Sequence, residues 1–345
     1  MFFIMNEKNV SHYGKKGAMP KRVPGHRYFY VTLFTLVLAC FNLPSGQAAD
    51  HGDHSDAEGN EKFARLTDLH AFVRKDNLVI ALCSNPEIGN ATEAKFPDEV
   101  VFTIRIDNNS VVRFDDCCNN AEFGGTVKTQ IEEDRIFTIT FKNHKPYLTL
   151  TGFPDDTPPV SKDCTSNEKD KIRLCADLRD DPFIRNPRMK TNVAAIVLEF
   201  PLNLVTTTPD SRDTLLIWAT SDIMPDMPSA PLQAGVEHAG RALRSQEKEF
   251  LNINTLHPSK HVDAVPSIRV PDVMICNTSR IPSFPNCRGL TDDVVQYLVC
   301  NKFIAPPPDF FEHSNCYTVR ENDREFLKEF PYLAEPHPPM MSTQD

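Results

Sequence analysis

Val100-Val-Phe-Thr-Ile-Arg-Ile106 is the stretch that decides the fold class. Val100, Phe102, Ile104 and Ile106 alternate with Val101, Thr103 and Arg105, the period-two pattern of a strand with one buried face. The same alternation returns in Phe137, Ile139 and Phe141 against Thr138 and Thr140. Asn77-Leu-Val-Ile-Ala-Leu-Cys83 differs: its apolar run is unbroken, as expected of a strand covered on both sides. Residues 147–151, 172–175, 193–200 and 215–220 complete the strand set. Turn chemistry such as Asp107-Asn-Asn109 and Pro154-Asp-Asp-Thr-Pro-Pro159 bounds most of them. Many short alternating strands predict a mainly β protein, an antiparallel β-sandwich or a barrel-like form, with a few short helices toward the C-terminus.

Helix signals are sparse. Thr291 is a candidate cap for a helix over 292–301, with Asp292 and Asp293 at its positive end. Asn322 is a candidate cap for a helix over 323–330, and a third helix is expected over 239–250. Residues 50–304 read as one β-rich domain, and 305–345 as a proline-rich tail packed on it and lying extended along its surface. No internal repeat is visible.

The first 49 residues have the layout of a secretory signal peptide. Lys15, Lys16, Lys21, Arg22 and Arg27 precede an apolar stretch over 28–43, and Pro44-Ser-Gly-Gln-Ala-Ala49 closes it with small residues. Met19 would make a more typical start. The apolar stretch is shorter than the roughly 20 residues of a spanning helix, so no transmembrane segment is expected after cleavage. Val37-Leu-Ala-Cys40 offers a lipid anchor at Cys40 as the alternative. Localisation is therefore read as periplasmic or extracellular. Without residues 1–49 the chain keeps 31 basic and 46 acidic residues, a charge of −15 against −10 for the whole sequence. Such a surface repels phosphate backbones, which excludes nucleic acid as the expected partner.

Nine cysteines follow Cys40. In an exported chain they imply disulfides, and proximity pairs Cys164 with Cys175, Cys276 with Cys287, and Cys300 with Cys316. Nine is odd; of the adjacent Cys117 and Cys118, one is expected to bond Cys83 and leave its neighbour over. No CxxC occurs, so zinc ribbons, thioredoxin-type pairs and haem attachment are unsupported.

Several segments in order give the chain a resemblance. They are Ala49-Asp-His-Gly-Asp53, Leu66-Thr-Asp-Leu-His-Ala-Phe-Val73, Leu178-Arg-Asp-Asp-Pro-Phe183, Asn192-Val-Ala-Ala-Ile-Val-Leu-Glu-Phe-Pro201, Phe284 to Val295, and Phe330-Pro-Tyr-Leu-Ala-Glu-Pro-His-Pro338. Together they resemble a bacterial secreted family known as domain of unknown function 4331. The resemblance implies an exported β-rich protein and no activity. Two residues depart from it: Cys287 stands where the family usually has glycine, and Ile184 where a second Phe is common. Because cysteine does not reach positive φ as glycine does, the Cys276–Cys287 bridge reads as a local elaboration.

Candidate chemistry centres on carboxylates and histidines. Arg179-Asp180-Asp181-Pro182 offers two carboxylates beside an arginine, suited to a divalent cation such as Ca or to acid–base work. As a structural motif, the same residues cap a turn while Arg179 forms an ion pair. Arg288 with Asp292 and Asp293 echoes the pattern, and the two acid pairs are candidates for one shared site.

At the N-terminus, cleavage after Ala48 would leave Ala49-Asp50-His51. Its amine, two amides and imidazole make a square-planar nitrogen set for Cu or Ni, with Asp53 and His54 as outer ligands. Met224, Met227 and Met274 are possible soft ligands, more simply gap-fillers. Trp218 and His70 read as core residues. GxSxG, HExxH, GxxxxGK[ST] and GxGxxG are all absent from the sequence.

These observations favour a non-enzymatic binding protein, with a metal ion as ligand. An envelope hydrolase or metal- or haem-dependent redox enzyme using the acids near Asp180 and Asp292 is the first alternative. A structural or adhesive envelope protein is the second.

Overall fold

The alternating segments pair into two sheets. The structure, a computed structural model, describes residues 59, 61–86, 88–89, 91–115, 117–168, 170–184, 188–206, 213–224, 233–243, 252–306, 316 and 320–339. All of them belong to one compact unit. The strands are β1 (Leu66–Arg74), β2 (Asn77–Ser84), β3 (Val100–Asp107), β4 (Val112–Arg113), β5 (Thr126–Val127), β6 (Arg135–Lys142), β7 (Lys145–Thr151), β8 (Val160–Ser161), β9 (Ile172–Asp180), β10 (Asn192–Pro201), β11 (Thr214–Ile223), β12 (Gln233–Ala239) and β13 (Met274–Asn277).

The first sheet runs β1-β2-β10-β9-β8. The second runs β12-β11-β3-β6-β7, with β13 added to β11. All pairings are antiparallel except β8 with β9. The two sheets stack as a sandwich and no barrel closes.

Register follows side-chain chemistry. Leu78, Ile80 and Leu82 of β2 face inward with Ala194, Ile196 and Leu198 of β10, against Phe102, Ile104 and Phe137 of the second sheet. Burying each such side chain contributes about 1.5–3 kcal/mol. The unbroken apolar run of β2 also has a second cover. Val79 and Ala81, with Val193, Ala195 and Val197, pack outward against Leu290, Phe330, Tyr332 and Leu333. The tail expected on the surface is therefore a wedge, with Leu333 fully buried. Its aromatic and leucine side chains belong inside because β2 and β10 present an apolar outer face that no third sheet covers.

Three helical expectations are corrected. The late helix covers Val294–Cys300, and Asp293 rather than Thr291 caps it, its carboxylate accepting from Gln296 N. Residues 320–339 contain neither helix nor strand; packing of Phe326, Phe330, Tyr332 and Leu333 on the outer face of β2 and β10 overrides the local helix signal. Ala239 ends β12, whose pairing with β11 claims its backbone; 244–250 lie outside the described residues.

The three disulfides join Cys164–Cys175, Cys276–Cys287 and Cys300–Cys316. Cys83 is buried in β2. The side chains of Cys117 and Cys118 lie outside the described set, and with them the expected bond to Cys83. Cys287 adopts φ 62°, so the expectation that cysteine would avoid the glycine-like conformation is overturned. Its N–H donates to Ile275 O at 2.9 Å and its sulfur is bonded to Cys276; these ties hold a conformation that an L-residue otherwise adopts at a cost of roughly 1–2 kcal/mol.

Candidate functional site

Asp180 is the last residue of β9, and its register partner is Asn192, the first residue of β10. This pairing sets the site. Asn192 Nδ2 donates to His337 O at 3.1 Å while its Oδ1 accepts from His337 N at 2.8 Å. Asp180 N donates to Ala334 O at 3.3 Å, and Arg179 binds Glu335 at 3.0 Å. The C-terminal segment is thereby fixed by its backbone, and the His337 imidazole falls over the Asp180 carboxylate.

His337 Nε2 lies 2.9 Å from Asp180 Oδ1 and 3.2 Å from Asp323 Oδ2. The three ligand atoms all lie within 4.8 Å of one another. Asp180 is fully buried, while the His337 and Asp323 side chains are 22% and 11% exposed. Asn322 Nδ2 donates to Asp180 Oδ2 at 2.5 Å. His337 Nε2 thus serves both carboxylates at once, while Asp323 Oδ1 and Asn322 Oδ1, buried beside them, have no hydrogen-bond partner. Buried polar atoms are normally paired, and both of these are oxygens of a type that binds cations. Burial pushes the Asp180 carboxyl up to about 6; the Asn322 hydrogen bond opposes this and the Asp323 charge adds to it.

The remaining candidates fall elsewhere. Asp181 is not part of the cluster: its Oδ1 accepts from Phe183 N at 2.9 Å, the turn-capping role that Pro182 favours. Arg179 pairs with Asp177 at 3.1 Å as well as with Glu335. Asp292 closes a turn by accepting from Gly289 N at 2.7 Å and Phe284 N at 3.0 Å. Among the described residues no group of ligand atoms joins Asp292 or Asp293 to Asp180, so the shared site of two acid pairs is not formed. Asp181 and Asp292 serve turns and Asp293 the helix start, which leaves Asp180 alone to face the strap.

Arg288 binds Asp68 at 2.7 Å in the interior. Its backbone also bridges Ala71 of β1 in both directions, at 2.9 and 3.0 Å, so this motif extends the edge of the first sheet. His70 Nδ1 lies 3.2 Å from Gly289 O; burial, with the Arg288 charge, holds its pKa well below the ordinary value. Trp218 and Met274 are core residues, and Met224 is half-exposed. Met227, His51, Asp53 and His54 lie outside the described residues. Cys164 and Cys175 approach Asp177, but their sulfurs bond each other and are not thiolate ligands.

A second buried ionisable group surrounds Asp272. Asp272 Oδ1 accepts from Arg241 N at 2.8 Å, its carbonyl meets His238 Nε2 at 2.8 Å, and its own N–H donates to His261 Nδ1 at 3.3 Å. This network ties β12 to the segment before β13.

Sequence reasoning found Asp180 and missed Asn322, Asp323 and His337. His337 lies in the Phe330–Pro338 segment that carries part of the resemblance, but nothing there marked its imidazole as a ligand. No family model, curated protein or solved structure matches this chain.

Proposed function

We propose that the chain is an exported, disulfide-stabilised binding protein whose ligand is a divalent metal ion held by Asp180, Asp323 and His337. The observation that carries this reading is the convergence of two carboxylates and an imidazole, their ligand atoms all within 4.8 Å of one another, beside the unpaired oxygens Asp323 Oδ1 and Asn322 Oδ1. Carboxylate and neutral imidazole are ordinary dication ligands, and an ion would answer the unmet polar atoms at once. Three disulfides suit an oxidising compartment. The leader-like first 49 residues and the resemblance to a secreted family point the same way.

The test is metal analysis of untagged, disulfide-intact protein beside an Asp180→Asn variant. The wild type should carry one divalent ion per chain after exhaustive dialysis, and the variant should lose it with an unchanged far-UV spectrum. Equal metal content in the two proteins sinks the assignment.

A further inference from the structure

The ligands have an uneven origin. Asp180 ends a central strand, whereas Asp323 and His337 both belong to the strap 320–339, which has no regular secondary structure. Between them lie the buried anchors Phe330, Tyr332 and Leu333. Asp323 and Asn322 stand on the far side of those anchors from His337. Asn322 is tied to the sheet by its hydrogen bond to Asp180, and Asp323 approaches His337. Resting on the metal reading above, we infer that the ion is a zinc-class transition dication, and that its binding locks the 320–326 limb of the strap onto the end of β9.

The donor chemistry selects the ion. Imidazole suits zinc and its neighbours, whereas calcium takes six to eight oxygen ligands. Zinc bonds of about 2.0–2.1 Å in a tetrahedron place neighbouring ligand atoms roughly 3.3 Å apart. His337 Nε2 already stands 2.9 and 3.2 Å from its two carboxylate oxygens. Asn322 Oδ1, buried and without a hydrogen-bond partner, is the nearby candidate for a fourth donor.

The locking follows from the connectivity. One ion bonded to Asp180, Asp323 and His337 joins three separate points of the chain. It closes the loop between Asp323 and His337 as a crosslink would, and ties that loop to β9. Without it, Asp323 is held at the site by its approach to His337 and Asn322 by one hydrogen bond to Asp180, fewer ties than the ion supplies.

The experiment uses the full disulfide-intact chain, stripped with chelator and then supplied with zinc chloride or calcium chloride at equal concentration. Bound metal is read by equilibrium dialysis, and strap docking by amide hydrogen exchange and by tryptic cleavage after Arg320 and Arg324. Zinc should bind one per chain and slow both exchange over 320–326 and cleavage by about tenfold or more, with β2 unchanged. Calcium should do neither. His337→Gln and Asp323→Asn, both at partly exposed positions, should abolish zinc retention and zinc-dependent protection together. Zinc retained by the wild type, lost in His337→Gln, yet without effect on the strap overturns the locking while leaving the metal reading in place. Calcium retained as well as zinc overturns the choice of ion. If neither zinc nor calcium is retained, the zinc-class assignment and the locking both fall, and the metal analysis of the untagged protein decides the wider reading separately.

Discussion

Asn192 and His337 clasp each other by two hydrogen bonds, side-chain amide to backbone peptide, at 2.8 and 3.1 Å. Asn192 opens β10 directly opposite Asp180, so the clasp transmits sheet register to the position of the imidazole. Asn192→Ala should lower zinc affinity about tenfold, as loss of a ligand-positioning contact does. It should also reduce unfolding stability by about 1–3 kcal/mol through the two lost hydrogen bonds. Dialysis and urea titration of the metal-free protein separate the two effects.

The strap is a structural wedge as well as a source of ligands. Leu333 is fully buried against the outer face of β2 and β10, so Leu333→Ala should cost about 2–5 kcal/mol. A tail lying on the surface would give a change within about 0.5 kcal/mol. The urea midpoint decides between them.

The interior ion pair of Asp68 and Arg288 should show strong non-additivity. Asp68→Asn leaves a buried guanidinium without its carboxylate and should destabilise by about 3–5 kcal/mol. Asp68→Leu combined with Arg288→Met should cost less than the sum of the single changes. A double-mutant cycle by chemical denaturation measures the coupling.

Acid should weaken the fold through His70. Its folded pKa lies below the unfolded value of 6.5 because burial and Arg288 disfavour the imidazolium. Between the two values the unfolded chain binds the extra proton, so stability rises with pH there and is lost as pH falls below about 6.5. His70→Gln should flatten the stability–pH curve below about pH 6.5, measured by urea titration at several pH values.

Cys287 supplies a test of backbone conformation. Its φ of 62° is one that glycine adopts freely. With the disulfide removed in both proteins, Cys276→Ala/Cys287→Gly should be about 1–2 kcal/mol more stable than Cys276→Ala/Cys287→Ala. Thermal unfolding under identical redox conditions reads the difference.

Legibility in the sequence tracked the range of the contacts. Val100–Ile106 and Phe137–Phe141 announced their strands because one strand's alternation is local, and the three disulfides close separations of only 11 to 16 residues. Asp180 stood out through its own neighbours, Arg179, Asp181 and Pro182. His337 and Asn322 did not, because their partners lie 142 to 145 residues away and their segment has no periodicity. Asn322 also carried a misleading signal: its amide serves as well before a helix as in a loop, and here it bonds Asp180 and the carbonyl of Arg324. At Cys287 the general rule against positive φ held no information about the bridge that enforces it.

The wedge also orders events in time. Arg288 meets Asp68 across 220 residues, and Arg74 binds the Lys328 carbonyl across 254. A chain synthesised from its N-terminus presents β2 long before Phe330 and Leu333 arrive to cover it. During that interval the outer apolar face of β2 stands bare, and contacts of such long separation form slowly. Folding therefore calls for a holding factor, or for conditions in which aggregation does not outrun arrival of the final segment.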